Sequence, residues 1–241
     1  MSKSSLLYYI TDRTAFVSDE ATRQKCLLEK IAEAARAGVD YIQLRERDLS
    51  TGALESLSLE AVRLLLELRA ENPQMATKLL INSRTDVALA AGADGVHLRS
   101  EDISPQEVTA IWRKTHVGTA APGGPPARPG ATAKTQIPSR PLIGISCHSA
   151  EQVRRAERNG ASFTVFAPVF EKKDTPSGKT TGLAQLREVC ETKIPVLALG
   201  GITLENAQSC LEAGAAGIAA IRLFQENDVA KIVDEVQRLM P

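Results

Sequence analysis

Side chains able to do chemistry recur at the ends of short apolar runs along the 241 residues. In chain order they are Thr11 and Asp12; Gln43, Arg45 and Arg47; Asn82 and Ser83; Asp102; Ser146 and His148; Lys172, Lys173 and Lys179; Gly200 and Gly201; and Arg222. Gathered in one place they form a polar, cationic pocket with at least one carboxylate, suited to an anion and above all to phosphate. The clearest element is LALGGIT, residues 197–203. Two adjacent glycines let the backbone approach a ligand, and the helix that follows offers free N–H groups and a favourable dipole. A tight turn is the plainer reading of the same pair. Arg222 could clamp an anion through two parallel bonds or pair with a surface carboxylate.

Strand alternation in Gln43-Leu44-Arg45-Glu46-Arg47 puts residues 43, 45 and 47 on one face, aiming an amide and two guanidiniums at a shared anion. The competing reading pairs an arginine internally with Glu46 or Asp48. Asp102 offers a carboxylate to Mg2+, or favours the start of the helix that follows it. His148, next to Ser146 and Cys147, could act as a general acid or base or be structural. His97 reads as packing within a strand, Trp112 as core or interhelical packing, and His116 carries no signal.

Such residues need a frame. Eight short runs rich in apolar residues read as strands: 6–11, 41–46, 78–83, 95–99, 142–147, 163–169, 195–201 and 217–222. Their consecutive apolar positions suit parallel strands buried on both faces. The segments between them read as helices. Leu54, Leu57, Ala61, Leu64, Leu65 and Leu68 make one apolar face. Ser104-Pro105-Gln106-Glu107 is a capping box with proline at the first helical position, and Ser149 with Gln152 repeats the arrangement. Ala37-Gly38-Val39-Asp40, Ala91-Gly92-Ala93-Asp94, Asn159-Gly160-Ala161 and Ala213-Gly214-Ala215-Ala216 each end a helix on glycine and lead into a strand. Eight strand–helix units predict a (β/α)8 TIM barrel forming a single domain over 1–241; an open doubly wound sheet is the alternative. In a barrel the candidate residues converge at the carboxyl ends of the strands. Residues 118–140, rich in Pro, Gly and Ala, read as a mobile insertion between the fourth helix and fifth strand, on the rim opposite the catalytic loops.

Composition narrows the function classes. With 29 basic and 29 acidic side chains the net charge is zero, which argues against a nucleic-acid partner. No apolar stretch is long enough to span a bilayer and the N-terminus lacks a cleavage pattern, so no membrane partner and a cytoplasmic location are expected. Cys26, Cys147, Cys190 and Cys210 form no C-x-x-C pair and read as buried, reduced thiols.

The motifs YYITDR (8–13), IQLRERDL (42–49), INSRTDVALAAGADGVHL (81–98), IGISCHS (143–149), FAPVF (166–170) and LALGGIT (197–203) stand in an order that closely resembles the thiamine phosphate synthase/TenI family. The likeness covers nearly the whole chain apart from the proline-rich insertion. It implies a barrel that binds thiazole phosphate, with the phosphate on the glycine pair after strand seven and the loop after strand eight. Two activities occur in that family. Synthases couple hydroxymethylpyrimidine pyrophosphate to thiazole phosphate with Mg2+, expelling pyrophosphate; TenI members tautomerise thiazole phosphate carboxylate with a histidine and no metal.

By position, the resemblance makes Arg45, Ser146 and His148 the catalytic candidates. The substrate-binding set it implies is Gln43, Arg45, Arg47, Asn82, Ser146, Lys172, Lys173, Gly200, Gly201 and Arg222, with Asp102 as one Mg2+ ligand. Arg47 replaces the usual lysine. Ser83 stands where synthases carry a second metal-binding aspartate, Lys172-Lys173-Asp174-Thr175 where they carry Thr-x-Thr-Lys, and Arg222 where they carry serine. The Arg-Glu-Arg run and the missing aspartate resemble TenI; Gln43 and Glu101-Asp102 resemble the synthases. The function implied is synthase-type coupling with Mg2+ as cofactor. The alternatives are a metal-free tautomerase and an inactive binder of phosphate ligands. A homodimer is expected from family analogy alone.

Overall fold

The computed structural model describes residues 5–118, 138–171 and 180–239. Eight parallel strands close into a barrel in chain order, β8 returning to pair with β1. The strands are β1 (Leu6–Ile10), β2 (Tyr41–Leu44), β3 (Lys78–Asn82), β4 (Gly95–Leu98), β5 (Leu142–Cys147), β6 (Phe163–Phe166), β7 (Val196–Ala198) and β8 (Gly217–Ala220). Helices α1 (Glu20–Ala37), α2 (Thr51–Glu71), α3 (Thr85–Ala91), α4 (Pro105–Gly118), α5 (Ala150–Arg158), α6 (Gly182–Cys190) and α7 (Leu204–Glu212) follow successive strands, and α8 (Arg222–Gln225) with α9 (Val229–Arg238) follows β8. The expected barrel is therefore the observed one, and the open sheet is excluded by the β1–β8 ladder. Most of the proline-rich insertion, residues 119–137, lies outside the described residues.

Apart from β5, which spans the expected run, the strands are shorter at their carboxyl ends than the apolar runs suggested. Ser83 takes φ 57°, and Gly200 and Gly201 take φ 101° and 62°, so the backbone leaves the extended region there and the ladder stops. Residues expected at the ends of β2, β3, β7 and β8 consequently stand on the loops above them. The helix signals hold. Ser104 N donates to Glu107 Oε2 at 2.8 Å and Glu107 N to Ser104 Oγ at 3.3 Å, closing the capping box. At α5, Gln152 Oε1 accepts from His148 N rather than from Ser149 N.

The returning motifs with glycine and aspartate do more than end helices. Asp40 Oδ2 accepts from Leu7 N at 2.8 Å, and Asp94 Oδ2 accepts from Leu79 N at 2.9 Å and from Arg69 Nη2 at 2.9 Å. Each aspartate thereby fastens the amino end of a neighbouring strand, which fixes the rim opposite the candidate site. The four cysteines are free thiols, Cys147 and Cys210 buried and the other two partly so. Trp112 is fully buried and donates Nε1–H to Pro138 O at 2.8 Å. No helix among the described residues is long and apolar enough to cross a membrane.

Strand alternation sorts the apolar side chains into two layers. Outward residues such as Leu7, Ile42, Ile81, Val96 and Ile143 pack under the helices. Inward residues Tyr8, Ile10, Leu80, Phe163, Val165, Leu197 and Ala219 fill the lumen, with Tyr41 stacked on Phe163 at 4.9 Å and Tyr8 edge-on to Phe163 at 5.3 Å. Large rings fit because glycines face them. A Cβ on Gly144 would stand 2.8 Å from His97 Nδ1.

Above β1 and β2 one buried arginine gathers the acids of both. Arg13, 3% exposed, donates from Nη1 and Nη2 to Asp48 at 2.7 and 2.9 Å, from Nε to Glu20 at 2.7 Å and from Nη1 to Glu46 at 3.3 Å. Glu46 is itself buried and also accepts from Thr11 Oγ1 and Arg13 N. Removing a buried partner strands the other charge, whereas an exposed partner matters little. Arg13→Ala is accordingly expected to lower unfolding stability by about 3–5 kcal/mol. Asp48→Ala, whose carboxylate is largely exposed, is expected to cost below about 1 kcal/mol. Urea unfolding of both variants checks this, and equal losses would show that the buried charge is not what decides.

Candidate active site

Gln43, Asn82, His97 and Ser146 come from β2, β3, β4 and β5, all inward-facing near the carboxyl ends. Gln43 is buried and donates Nε2–H to Asn82 Oδ1 at 3.0 Å, so the pair forms a fixed polar floor. His97, buried, lies with Nε2 2.9 Å from Ser146 Oγ and Nδ1 3.0 Å from Tyr8 Oη. From the sequence alone His97 reads as packing. Its position on the inner face, one residue out of step with Val96 and Leu98, was the available signal that it reaches the floor of the site.

Arg45 rises from the end of β2, half-buried, its backbone N–H bound to Thr11 Oγ1 at 3.0 Å. Neither of the internal pairings weighed for it occurs, because Arg13 occupies both Glu46 and Asp48. Its guanidinium has no ion pair among the described residues. Burial and then the neighbouring Arg47 push its pKa down, against Asp12 and Glu46. A half-buried cation destabilised in this way is favoured by a nearby anion. Arg47 departs from the expected shared face: β2 ends at Leu44, and Arg47 sits exposed in the turn beyond it.

Asp102 stands over β4. Its Oδ2 accepts from Arg99 N at 2.8 Å and its Oδ1 from Arg99 Nη2 at 3.0 Å. Burial raises its pKa, but the Arg99 backbone bond, the nearby Ser83 hydroxyl and the Arg99 guanidinium outweigh this and hold the carboxyl below its ordinary value. Ser83 Oγ faces it without a well-formed hydrogen bond, buried and otherwise unpartnered. No group of three or more His, Cys, Asp or Glu side chains among the described residues could hold a metal. The donors present fit the looser mode, in which a single carboxylate helps hold Mg2+ that arrives with substrate phosphates.

His148 is exposed just past β5. Its Nδ1 donates to Ala167 O at 2.7 Å, leaving Nε2 as an acceptor. Cys147 beside it points outward into the core, and burial pushes its thiol up to about 12, so the two do not form a nucleophilic pair. Lys172, Lys173 and Lys179 lie outside the described residues.

The glycine pair after β7 makes the tight turn that was the plainer reading of it. A Cβ on Gly200 would meet Pro168 Cα at 2.7 Å, and one on Gly201 would strike Glu171 O. The loop after β6 is laced to it by Val169 N to Leu199 O at 2.9 Å and Phe170 N to Gly200 O at 3.0 Å. The turn is thus tightly packed. Among the described residues no hydrogen bond uses the N–H of Gly200, Gly201 or Ile202. Three donors are therefore open in the turn that precedes α7. Arg222 does not end β8 as expected; the strand stops at Ala220, and Arg222 opens α8, exposed on the same rim.

A cationic arginine, a serine, a glycine cradle and one carboxylate around a barrel mouth agree with what relatives of the chain are. The profile of the thiamine monophosphate synthase family (TMP-TENI) matches residues 7–123 and 124–224. This chain belongs to that family. The thiamine-phosphate synthase of Syntrophomonas wolfei is 34% identical over 221 residues, spanning 89% of this chain and 86% of that protein. That of Clostridium acetobutylicum is 30% identical over 216 residues, spanning 89% and 84%. The solved thiamine phosphate pyrophosphorylase of Pyrococcus furiosus superposes with a TM-score of 0.69 at 28% identity, over 98% of this chain and 96% of that one.

The cradle of this family member is open to test. Gly200→Ala forces a side chain into φ 101° and onto Pro168, and is expected to cost about 1–3 kcal/mol of stability. It is also expected to abolish any rise in melting temperature that inorganic phosphate gives the parent protein. Thermal melts with and without phosphate check both, and an undiminished rise would place the phosphate site elsewhere.

Proposed function

We propose that this chain is a thiamine phosphate synthase. Its two substrates are hydroxymethylpyrimidine pyrophosphate and thiazole phosphate. In the reaction the bond between the pyrimidine methylene carbon and the pyrophosphate oxygen breaks, and its electron pair leaves with pyrophosphate. The thiazole nitrogen then donates its lone pair to the methylene carbon. No proton needs to move, so the protein contributes position and charge.

The observation that carries this reading is Arg45, a half-buried guanidinium without an ion-pair partner among the described residues, just past the end of the strand that carries Gln43. It is placed to neutralise the departing pyrophosphate, with Arg47 adding charge from the turn above and Lys172 and Lys173 proposed to do so from the loop after β6. The glycine cradle and Arg222 hold the thiazole phosphate. Asn82 and Gln43 orient the pyrimidine. Mg2+, held through Asp102 and substrate phosphates, supplies further charge neutralisation to the pyrophosphate when bound. Because Ser83 brings a neutral oxygen, the cation is held weakly. His148 Nε2 stands at the mouth as an acceptor without a proton to take in this reaction. A cytoplasmic location and a homodimer accompany the reading through family likeness.

Purified protein given both substrates and Mg2+ is expected to release pyrophosphate, and Arg45→Ala to lose on the order of 10²- to 10³-fold in kcat. Ser83→Asp restores a second carboxylate at a left-handed position that aspartate tolerates. It is expected to lower the Mg2+ concentration giving half-maximal rate. Absence of pyrophosphate release, with aromatisation of thiazole phosphate carboxylate that His148→Ala abolishes, would instead identify a tautomerase.

A further inference from the structure

The lumen holds one ionisable group that this reaction leaves unused. His97 is 3% exposed, and each ring nitrogen meets a hydroxyl: Tyr8 Oη at Nδ1 and Ser146 Oγ at Nε2. Burial, with the Arg45 charge adding to it and Asp102 opposing, pulls the ring's pKa down to about 3. The ring is therefore neutral at working pH and donates from one nitrogen only.

Tyr8 decides which nitrogen that is. It is fully buried, and burial first and Tyr41 second keep its phenol protonated. Among the described residues its only hydrogen-bonding neighbour is His97 Nδ1. If Nδ1 carried the proton, the phenolic O–H would be buried without an acceptor, a heavy penalty for a polar group. Tyr8 therefore donates to Nδ1, and Nε2–H donates to Ser146 Oγ. Gly144 gives the ring its room, since a Cβ there would stand 2.8 Å from Nδ1 and 2.5 Å from Phe163 Cζ.

We infer that His97 is a positioning residue for pyrophosphate departure. Its Nε2–H occupies a lone pair of the Ser146 hydroxyl and leaves that hydroxyl's own proton to point at an oxygen of the leaving group. Ser146 is thus kept a donor toward the anion, oriented by a relay that begins at Tyr8 on the far side of the lumen. The identity of the anion rests on the synthase reading; the relay does not.

The chain has three histidines, so nitrogen NMR of imidazole-labelled protein, assigned with His116→Gln and His148→Gln, resolves the His97 tautomer. The expected result is a protonated Nε2 and a bare Nδ1. A proton on Nδ1 overturns the inference whatever the chain catalyses. In the coupled assay, His97→Leu is expected to lower kcat between about 10- and 10²-fold with KM for thiazole phosphate unchanged. His97→Gln, which keeps an N–H donor, is expected to recover most of the rate. The double variant His97→Leu/Ser146→Ala is expected to be no slower than Ser146→Ala alone; multiplied losses would show that His97 does not act through Ser146. Should His97→Leu not fold, Tyr8→Phe removes the donor to Nδ1 and is expected to admit the second tautomer, and a spectrum unchanged from the parent overturns the role given to Tyr8. If the parent releases no pyrophosphate, the synthase reading fails while the spectrum still decides the relay.

Discussion

Arg13 sets the charge of the site without entering it. By taking Glu46, Asp48 and Glu20 it gathers three carboxylates from above β1 and β2 into one clamp. Arg45, next in sequence to one of those acids and three residues from another, forms no ion pair with either. The same clamp ties the first loop to the second through Thr11, which accepts from Arg45 N and donates to Glu46. A rigid scaffold that withholds counter-charge from one guanidinium leaves that cation to favour an anion, because the buried negative charge is satisfied elsewhere.

Barrel closure supplies the second condition. Once β8 pairs with β1, every inward side chain must share one lumen, and its lower part is filled by Tyr41, Phe163 and Tyr8. Polar groups can enter that interior only where each finds a partner. Going upward, Tyr8 meets His97, His97 meets Ser146, and Gln43 meets Asn82, so polarity increases stepwise from a dry core to a wet mouth. The aspartates at the opposite rim are spent on strand amides and on Arg69, which keeps that end structural. The division between a stable rim and a reactive rim is thus written in where each carboxylate finds its donor.

The fold was legible because its signals are local: apolar runs of strand length, capping boxes and left-handed glycines each act within a few residues. The glycine turn after β7 was legible for the same reason. The state of Arg45 was not, because it depends on Arg13, more than thirty residues away, winning both acids. His97 was read as packing, since nothing in the sequence says that Tyr8 and Ser146 flank it across the lumen. Arg47 and Arg222 were placed on strand ends by extending alternation past the point where the backbone turns, and both stand on loops instead. Strand ends are where tertiary demands override the pattern, since that is where the chain must rise to form the site.

The Asp102 corner shows how these constraints combine. A second carboxylate at position 83 would face Asp102 directly, and two such charges need a cation between them. Serine removes that need, and Arg99 satisfies the remaining acid from outside. On the synthase reading the metal would then be a contributor that substrate brings. Across the mouth Arg45 has no ion pair among the described residues, and Arg47 is exposed in the turn above it. On the synthase reading, one carboxylate fewer shifts neutralisation of the leaving group from metal toward side chains. A pyrophosphate held this way would depend on directed donors, and that raises the value of a serine hydroxyl whose proton is fixed in direction from below.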